Sequence, residues 1–443
     1  MKTAKEPAGA QSGRRASAVR ASPSTRRSVT QTAIMNVAML GSSSIAGLII
    51  ARQLGPTGRG EYAAVVAWLG VTLVAGELGQ PSALCFYVAS DVDRASDYAA
   101  TARRFLAGSG LIVGFLGWVV APILGRHDPS LTMTYRLMFA SCIVSFVSAS
   151  FTFPLQAMTI TLWNVARLVQ PLLYLVAIVV LAASARLTVF LAIVALVATI
   201  TIQALVAWAL CWRVNLHAGS FDAQLARPLL RYGSSQIAAN APTVVNARLD
   251  QVILAGYAPY EALGLYAVAV SITSLALPVV SAIGSVVFPR IAEQGPAPTL
   301  GLERRAIRAS LLLATGMMVA VALLAPWLLP AVFGRAYSQA VPMVWVLSIG
   351  GVFLASGQVM GDVLRGRGQP FAVAIAQGVG AIFTVVLLVI LLPLLGALGA
   401  AVASTAAYFA AFAVSVLALR RPRRQGVGVT VTSLPPARRE EGI

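Results

Sequence analysis

The sequence has few of the residues and motifs that enzymes and metalloproteins depend on. It contains two histidines and three cysteines. Cys85, Cys142 and Cys211 lie far apart in apolar runs, with no CxxC spacing and no even number to form a disulfide framework. There is no P-loop, GxSxG or HExxH motif and no close carboxylate pair. No loop is long enough to fold as a domain that could hold reacting groups. We therefore predict no enzyme activity, no metal site and no resident cofactor.

Charged residues are also scarce. They make up 11% of the 443 residues, whereas 58% are hydrophobic, and the mean hydropathy is +0.81. This leaves too little polar surface to cover a soluble globule of this size. Apolar runs of about 20 residues, the length of a helix that crosses a bilayer, recur along the whole chain. The composition predicts an all-α integral membrane protein.

The apolar runs predict about twelve transmembrane helices in two lobes of six. A polar stretch at 213–231 is predicted to link an N-terminal lobe at 30–212 to a C-terminal lobe at 232–420. A disordered basic tail is predicted at 1–29 and a second tail at 421–443. An even number of crossings returns each lobe to its starting side, so the repeats run parallel. The predicted spans are 30–52, 61–84, 104–125, 131–153, 161–184, 187–212, 232–257, 261–288, 306–331, 341–363, 369–394 and 397–419.

Two turns rich in helix-breaking residues repeat each other. The segments 55–63 and 257–267 each lie between two long apolar runs, and Tyr62 and Tyr266 occupy corresponding positions in them. A turn that recurs in the same context indicates a duplicated membrane bundle. Duplication of this kind is typical of transporters and suggests a solute path between the halves.

The net charge of +18 could indicate either nucleic-acid binding or the topology of a membrane protein. The positions of the charged residues distinguish the two. Most lysines and arginines fall in the tails and in alternate loops, as the positive-inside rule predicts for a multi-pass protein of the plasma membrane with both termini in the cytoplasm. We therefore predict no nucleic-acid partner. The arginines predicted on the opposite side are Arg52, Arg59, Arg126, Arg136, Arg186 and Arg335.

Polar residues within membrane spans are costly and are the best indicators of function. The seventh span holds the densest set on one helical face, with Arg248 nearly opposite. The face is formed by Gln236, Asn240, Thr243, Asn246 and Asp250. Such a stripe predicts either a wet cavity or a buried hydrogen-bond network, and the sequence leaves both open.

Three residues of the first half are further candidates. Asn36 lies inside the first span, Arg52 ends it, and Glu77 lies deep in the second. Arg52 could bind an anionic head group, reach the interface or pair with an acid. Glu77 could be a proton or cation site or part of a structural ion pair. Weaker candidates are Arg167, Gln170, Gln203, Gln358 and Asp362.

The first repeated turn resembles a known motif. Leu54–Tyr62 is similar to the LGPxxxGxY turn of the polysaccharide transporters, the Wzx-type lipid-linked oligosaccharide flippases of the MOP superfamily. The resemblance covers about residues 30–420. Further similar segments are Glu77–Gly79, Leu249–Leu254, Phe333–Tyr337 and Leu364–Pro370.

This resemblance implies two six-helix lobes that open alternately to each side and carry a polyprenyl-pyrophosphate-linked glycan across the membrane. Cations would bind the pyrophosphate and hydrogen-bonding groups the sugar. Membrane lipids, and glycosyltransferases or a polymerase of the same pathway, are the implied partners. Coupling to the membrane potential, H⁺ or Na⁺ is left open. The first span has little charge beyond Arg52, which argues against a lipid II cargo.

The candidate residues fall into two predicted roles, ion coupling and substrate binding. Glu77 and Asp250 are predicted to couple an ion, and would do so equally in the alternative function, a multidrug or metabolite antiporter of the same superfamily. The predicted substrate-binding residues are Arg52, Arg248, Asn36, Gln236, Asn240, Thr243 and Asn246.

Overall fold

The computed structural model describes the backbone of residues 23–216, 218–293 and 300–420. It describes their side chains except at 23–29, 238–247, 289, 292–293 and 300. Every regular element within these residues is helical. The helices are α1 (Pro23–Gly76), α2 (Gln80–Ser90), α3 (Ala95–Leu124), α4 (Pro129–Met158), α5 (Ile160–Ala183), α6 (Val189–Arg213), α7 (Ala223–Tyr257), α8 (Tyr260–Thr273), α9 (Ala276–Glu293), α10 (Leu300–Val332), α11 (Val341–Gly366) and α12 (Pro370–Arg420).

The helices account for the predicted twelve crossings. Nine helical stretches of the described residues are long and apolar enough to cross a membrane, with α8 and most of α9 counted as one. Two of them, α1 and α12, each contain two crossings that meet at a bend. The bends lie at Gly55, with φ 67°, and Gly396, with φ 56°, a backbone conformation that glycine adopts at little cost. The polar helix α7 supplies the remaining crossing, as predicted.

Two crossings are broken rather than continuous. The second is interrupted between α1 and α2, where Leu78 and Gly79 have positive φ. The eighth, predicted as one span at 261–288, is divided into α8 and α9 around Ser274 and Leu275. Broken helices leave backbone groups without helical partners, and in membrane proteins they occur where they are buried or line a cavity.

Two helices begin within segments that were predicted as a tail and a linker. Helix α1 begins at Pro23, a residue suited to the first helical turn, within the predicted tail at 1–29. Residues 1–22 and 421–443 lie outside the described residues. Helix α7 begins at Ala223, within the predicted linker at 213–231, and Asp222 caps it by accepting a hydrogen bond from the Gln224 backbone N–H at 2.7 Å.

The helices of each lobe pack on one another and present an apolar outer surface. In the first lobe α3 packs on α4 and α4 on α6, and in the second α11 packs on α9, α10 and α12. Tyr135 and Phe146 are buried in the first lobe, and Tyr266 and Tyr337 in the second. Large apolar side chains remain exposed along the outer faces of α3, α10 and α12, which suits contact with lipid. The chain is a multi-pass membrane protein.

We name the two ends of the bundle after their contents. The turn end carries Gly55, Ala258 and Gly396, and the tail end carries Ser90, Arg213 and Arg420. The end of the linker that precedes α7, at Ser220 and Asp222, contacts the first lobe at the tail end. Asp222 forms an ion pair with Arg94. The Ser220 backbone N–H donates to the Asp97 carboxylate at 2.9 Å.

Candidate functional site

The two repeated turns meet face to face at the turn end. A Cβ atom added to Gly60 would lie 1.7 Å from the Tyr260 carbonyl oxygen, and one added to Gly264 would lie 1.8 Å from the Pro56 carbonyl oxygen. The contact is reciprocal, because Pro56 and Gly60 correspond to Tyr260 and Gly264 in the repeats. The backbones of α1 and α8 therefore approach as closely as glycine permits.

Polar side chains cross between the lobes around this glycine crossing. Arg126 donates to the carbonyl oxygen of Ala255 at 2.9 Å and to that of Ala258, at the C-terminus of α7. Its guanidinium lies 4.4 Å from the centre of the Tyr260 ring. The Tyr337 hydroxyl donates to the Ala51 carbonyl oxygen at 2.9 Å. These contacts close the turn end.

Arg52, one of the predicted substrate-binding residues, takes part in the same closure. Its Nη1 donates to the Val332 carbonyl oxygen of the second lobe at 3.3 Å, and its side chain is otherwise exposed. The last carbonyls of α10 have no helical donors and carry the negative end of the helix dipole, so a cation is favoured there. Arg52 therefore holds the lobes together at the turn end.

The lobes are joined differently at the tail end. There α7 makes the extensive contacts with the first lobe, whereas α9 packs on α10 and α11 of its own lobe. The Gly79 and Gly233 backbones touch, and the rings of Phe86 and Tyr232 stack with centroids 4.7 Å apart. At the tail end the second lobe is thus joined to the first through α7, which packs against α2 and the start of α3.

A cavity of about 570 Å³ lies between the lobes, beneath the glycine crossing. We call it the central cavity. Residues of α1, α5 and α6 line it on one side, and residues of α7, α8 and α10 on the other. Much of its wall is apolar, and residues at the α8–α9 break contribute to it. Its polar and charged lining residues are Ser43, Ser44, Arg59, Tyr62, Gln170, Tyr174, Arg248, Gln251, Ser271 and Ser274.

Two arginines supply the charge of the central cavity. Arg59 follows the bend of α1, is half-buried, and lies 5.5 Å from the centre of the Tyr62 ring. Its Nε makes no hydrogen bond within the described part of the chain. Arg248, from the other lobe, lies against Gly70, whose added Cβ would be 3.6 Å from the arginine Nε. Neither arginine forms an ion pair with any described residue. The cavity therefore presents two available cations, one from each lobe.

Asp250 faces away from the central cavity, into the second lobe. Its side chain is 1% exposed. It accepts hydrogen bonds from the Tyr266 hydroxyl, from Ser404 Oγ at 3.3 Å and from the Gln251 backbone N–H at 2.7 Å. Of the two interpretations of the polar stripe, the buried network holds for Asp250. Gln236 is half-buried and is not among the described residues that line the cavity. The side chains of Asn240, Thr243 and Asn246 lie outside those described.

Asn36 and Glu77 lie nearer the tail end than the central cavity. Asn36 is exposed and precedes Leu40, a cavity-lining residue, by one helical turn. Glu77 lies in the turn between α1 and α2 and is half-buried. The arm of α1 after Gly55 rises about 30 Å before it reaches Glu77, so Glu77 lies where the second crossing is interrupted, before α2 continues toward the tail end.

Sequence reasoning missed Arg59, the strongest feature of the cavity after Arg248. The charge pattern assigned it to a loop at the turn end. Helical spacing could have found it, because Arg59, Tyr62, Ala63 and Val66 share one face of α1 and all line the cavity. The hydroxyl of Tyr174 donates to that of Tyr62 at 2.8 Å, which fixes the wall beside Arg59.

The fold is that of the MOP-superfamily membrane transporters. An inward-facing multidrug resistance MATE family transporter of that superfamily has a TM-score of 0.72 at 14% identity, over 87% of this chain and 96% of the other. The lipid II flippase MurJ, in its inward closed conformation, has a TM-score of 0.76 at 11% identity, over 88% and 87%. A MATE transporter in the outward-facing conformation has a TM-score of 0.59 at 16% identity, over 88% and 94%.

The particular family comes from sequence. The model of the family described as "Polysaccharide biosynthesis protein" matches residues 49–342. The chain belongs to this family, which confirms the resemblance carried by the first repeated turn. No curated protein matches the chain at a significant level.

Proposed function

We propose that this protein flips a polyprenyl-diphosphate-linked oligosaccharide across the plasma membrane, for export of a surface polysaccharide. The observation that carries the proposal is the central cavity, where Arg59 and Arg248 face one space from opposite lobes. Arginine binds phosphate oxygens through paired, charge-assisted hydrogen bonds. Two arginines on separate lobes suit a diphosphate that must be released when the lobes move.

The rest of the lining suits the rest of such a cargo. Ser44, Gln170 and Gln251 offer hydrogen-bonding groups for sugar hydroxyls, and Leu40 and Leu275 belong to the apolar wall. A cavity of about 570 Å³ is in the size range of small-molecule sites, so it suits the diphosphate and the first sugars rather than a whole glycan. The lipid tail would remain in the bilayer.

We further propose that the described conformation is open to the cytoplasm. The charge pattern puts the termini, and with them the tail end, on the cytoplasmic side. The turn end is closed by the glycine crossing and by Arg52, Arg126 and Tyr337. The TM-score is 0.72 with an inward-facing MATE transporter and 0.59 with an outward-facing one, which agrees with this orientation. Glycosyltransferases of the same pathway would supply the cargo.

A cation-exporting multidrug antiporter is the weaker proposal, because Arg59 and Arg248 would repel a cationic drug in a site of low dielectric. The charge of the cavity therefore favours an anionic cargo.

The proposal is tested by removing both cavity charges. In an Arg59→Gln, Arg248→Gln double variant we expect glycan export to fall at least tenfold, since charged hydrogen bonds contribute about 1.5–3 kcal/mol each. Glycan-charged carrier should accumulate on the cytoplasmic leaflet, measured by its accessibility to a glycosidase added to inside-out and right-side-out vesicles. Protein abundance should stay unchanged.

The matched control is Arg186→Gln with Arg335→Gln. These arginines lie at the turn end and are exposed, and their loss changes net charge equally. We expect normal export from this control. Unchanged carrier distribution in the Arg59, Arg248 variant would rule out the proposed function.

We propose Asp250 as the ion-coupling carboxylate, with Glu77 as the second candidate. Asp250→Asn keeps the shape of the side chain but cannot lose a proton or carry charge. If Asp250 couples an ion, this variant should lose at least about tenfold in transport driven by a pH or Na⁺ gradient while its unfolding temperature stays near that of the wild type. Asp250→Ala should be destabilised by about 1–3 kcal/mol, because Tyr266 and Ser404 lose their acceptor.

Glu77→Gln, measured in the same gradients, separates the two candidates. If Asp250→Asn transports normally and Glu77→Gln does not, the coupling role belongs to Glu77 and the Asp250 network is structural.

A further inference from the structure

A second groove lies at the tail end, on the first third of α7. Its volume is about 650 Å³, and the lining residues that matter here are Leu78, Arg227, Leu230, Arg231, Ser234 and Ile237. Arg227 and Arg231 are exposed and one helical turn apart. Neither forms an ion pair with a residue that the structure describes. Two cations therefore border a groove whose other walls are mainly apolar.

The groove lies on the side of α7 that leads to the central cavity. Ile237, at its upper end, and Arg248 are separated by about three helical turns, so their side chains leave α7 in nearly the same direction. Around the helix axis Arg227 lies about 60° from Arg248, and Arg231 lies about 100° from it. The apolar side of the tail-end groove, at Leu230 and Ile237, thus shares one face of α7 with the central cavity, and Arg231 precedes Arg248 by about 25 Å along the axis.

An arginine pair at this spacing is not a site by itself. Arg304 and Arg308 repeat the spacing on the exposed surface of α10 at the same end of the bundle. They line neither the tail-end groove nor the central cavity. What distinguishes Arg227 and Arg231 is their groove and its apolar residues Leu230 and Ile237, which lie on the same face of α7 as Arg248.

We propose that the tail-end groove is a loading site for the diphosphate head of the lipid-linked cargo, which it holds before the cargo reaches Arg248. This inference rests on the proposed function. Side chains one turn apart begin about 5–6 Å from each other, so each guanidinium can bind one phosphate of a diphosphate. Leu78, Leu230 and Ile237 offer apolar contact to the first isoprene units.

The inference is tested by counting binding sites. Farnesyl diphosphate, which carries the same diphosphate on a short isoprenoid, is titrated into the full chain in phosphatidylcholine nanodiscs. We expect the wild type to bind two molecules. The double variant Arg227→Gln, Arg231→Gln should lose one of the two bound molecules. The Kd of farnesyl diphosphate for the tail-end groove should weaken at least about tenfold, or 1.4 kcal/mol. Arg59→Gln, Arg248→Gln should lose the other.

Arg304→Gln, Arg308→Gln is the matched control and should bind two molecules. If the Arg227, Arg231 variant also binds two, or if the control loses one as well, the loading site is refuted while the proposed function stands. If the Arg59, Arg248 variant binds two molecules while the Arg227, Arg231 variant binds one, the central cavity is not the diphosphate site. The tail-end groove is then still supported as a diphosphate site. If phosphatidylglycerol in the nanodisc abolishes the groove's share of binding, the groove binds bilayer phosphate and the inference is overturned.

Discussion

Alanine at both Gly60 and Gly264 is expected to hold the lobes apart at the turn end and to stop transport. The added Cβ atoms would lie 1.7 and 1.8 Å from backbone carbonyl oxygens of the opposite lobe, which cannot move aside as a flexible side chain can. Overpacking costs about 1–3 kcal/mol per site. Together the two changes should shift the equilibrium toward a turn-end-open conformation by at least about tenfold.

The shift can be measured by thiol labelling. Ser44→Cys places a reporter in the central cavity, in a background whose natural cysteines are replaced by serine. A membrane-impermeant reagent added on the turn-end side should label it slowly in the wild type and at least about tenfold faster in the double alanine variant. Carrier-linked glycan export should fall in parallel.

Gly256→Ala is the control, because an added Cβ at this turn-end position of α7 would meet nothing within 4 Å. It should label and transport like the wild type. Equal labelling of the Gly60, Gly264 variant and this control would show that the glycine crossing does not govern access.

Arg367→Leu is expected to destabilise the second lobe by about 3–5 kcal/mol, since it removes the guanidinium from a buried, charge-paired carboxylate. Arg367 and Glu303 form a two-pronged ion pair in which the side chains are 9% and 4% exposed. Arg367 Nη1 also donates to the Leu419 carbonyl oxygen at 2.7 Å, so the pair joins α10, α11 and the end of α12. The unfolding temperature in detergent should fall markedly.

The neighbouring Arg365 supplies the control. It pairs with Asp362 at 2.9 Å, but its side chain is 42% exposed, and exposed pairs contribute about 0–1 kcal/mol. Arg365→Leu should therefore change the unfolding temperature little. The double variant Arg367→Leu, Glu303→Leu should recover much of the stability lost by Arg367→Leu, because it removes both buried charges of the pair. Equal destabilisation by the two single variants would contradict the assignment.

Much of the architecture could be predicted from the sequence, because membrane crossing imposes strong and local rules. A bilayer requires apolar runs of a set length, and the backbone within them must be helical. Helix number and duplication follow from such runs and from the repeated turns. The breaks near Gly79 and Ser274 were missed, because apolar residues continue on both sides of them.

The candidate site was predicted less completely, and for a physical reason. Arg248 and Asp250 are two residues apart in α7, so the sequence could place them on different faces but could not say which face meets the other lobe. Arg59 was assigned to a loop because its charge fits the topology pattern, and Arg52 was predicted to bind substrate, reach the interface or pair with an acid. In the structure Arg59 lines the central cavity, and Arg52 contacts the end of α10.

The sequence by itself determined the family, the helical membrane fold and the two repeated halves, since length, apolarity and breaker residues act within one segment at a time. Only the tertiary structure decided which polar groups share a space. Arg59 and Arg248 are brought to one cavity by the approach of α1 and α8 at Gly60 and Gly264. That approach depends on how two lobes pack, and packing between distant segments leaves no periodic pattern in either of them.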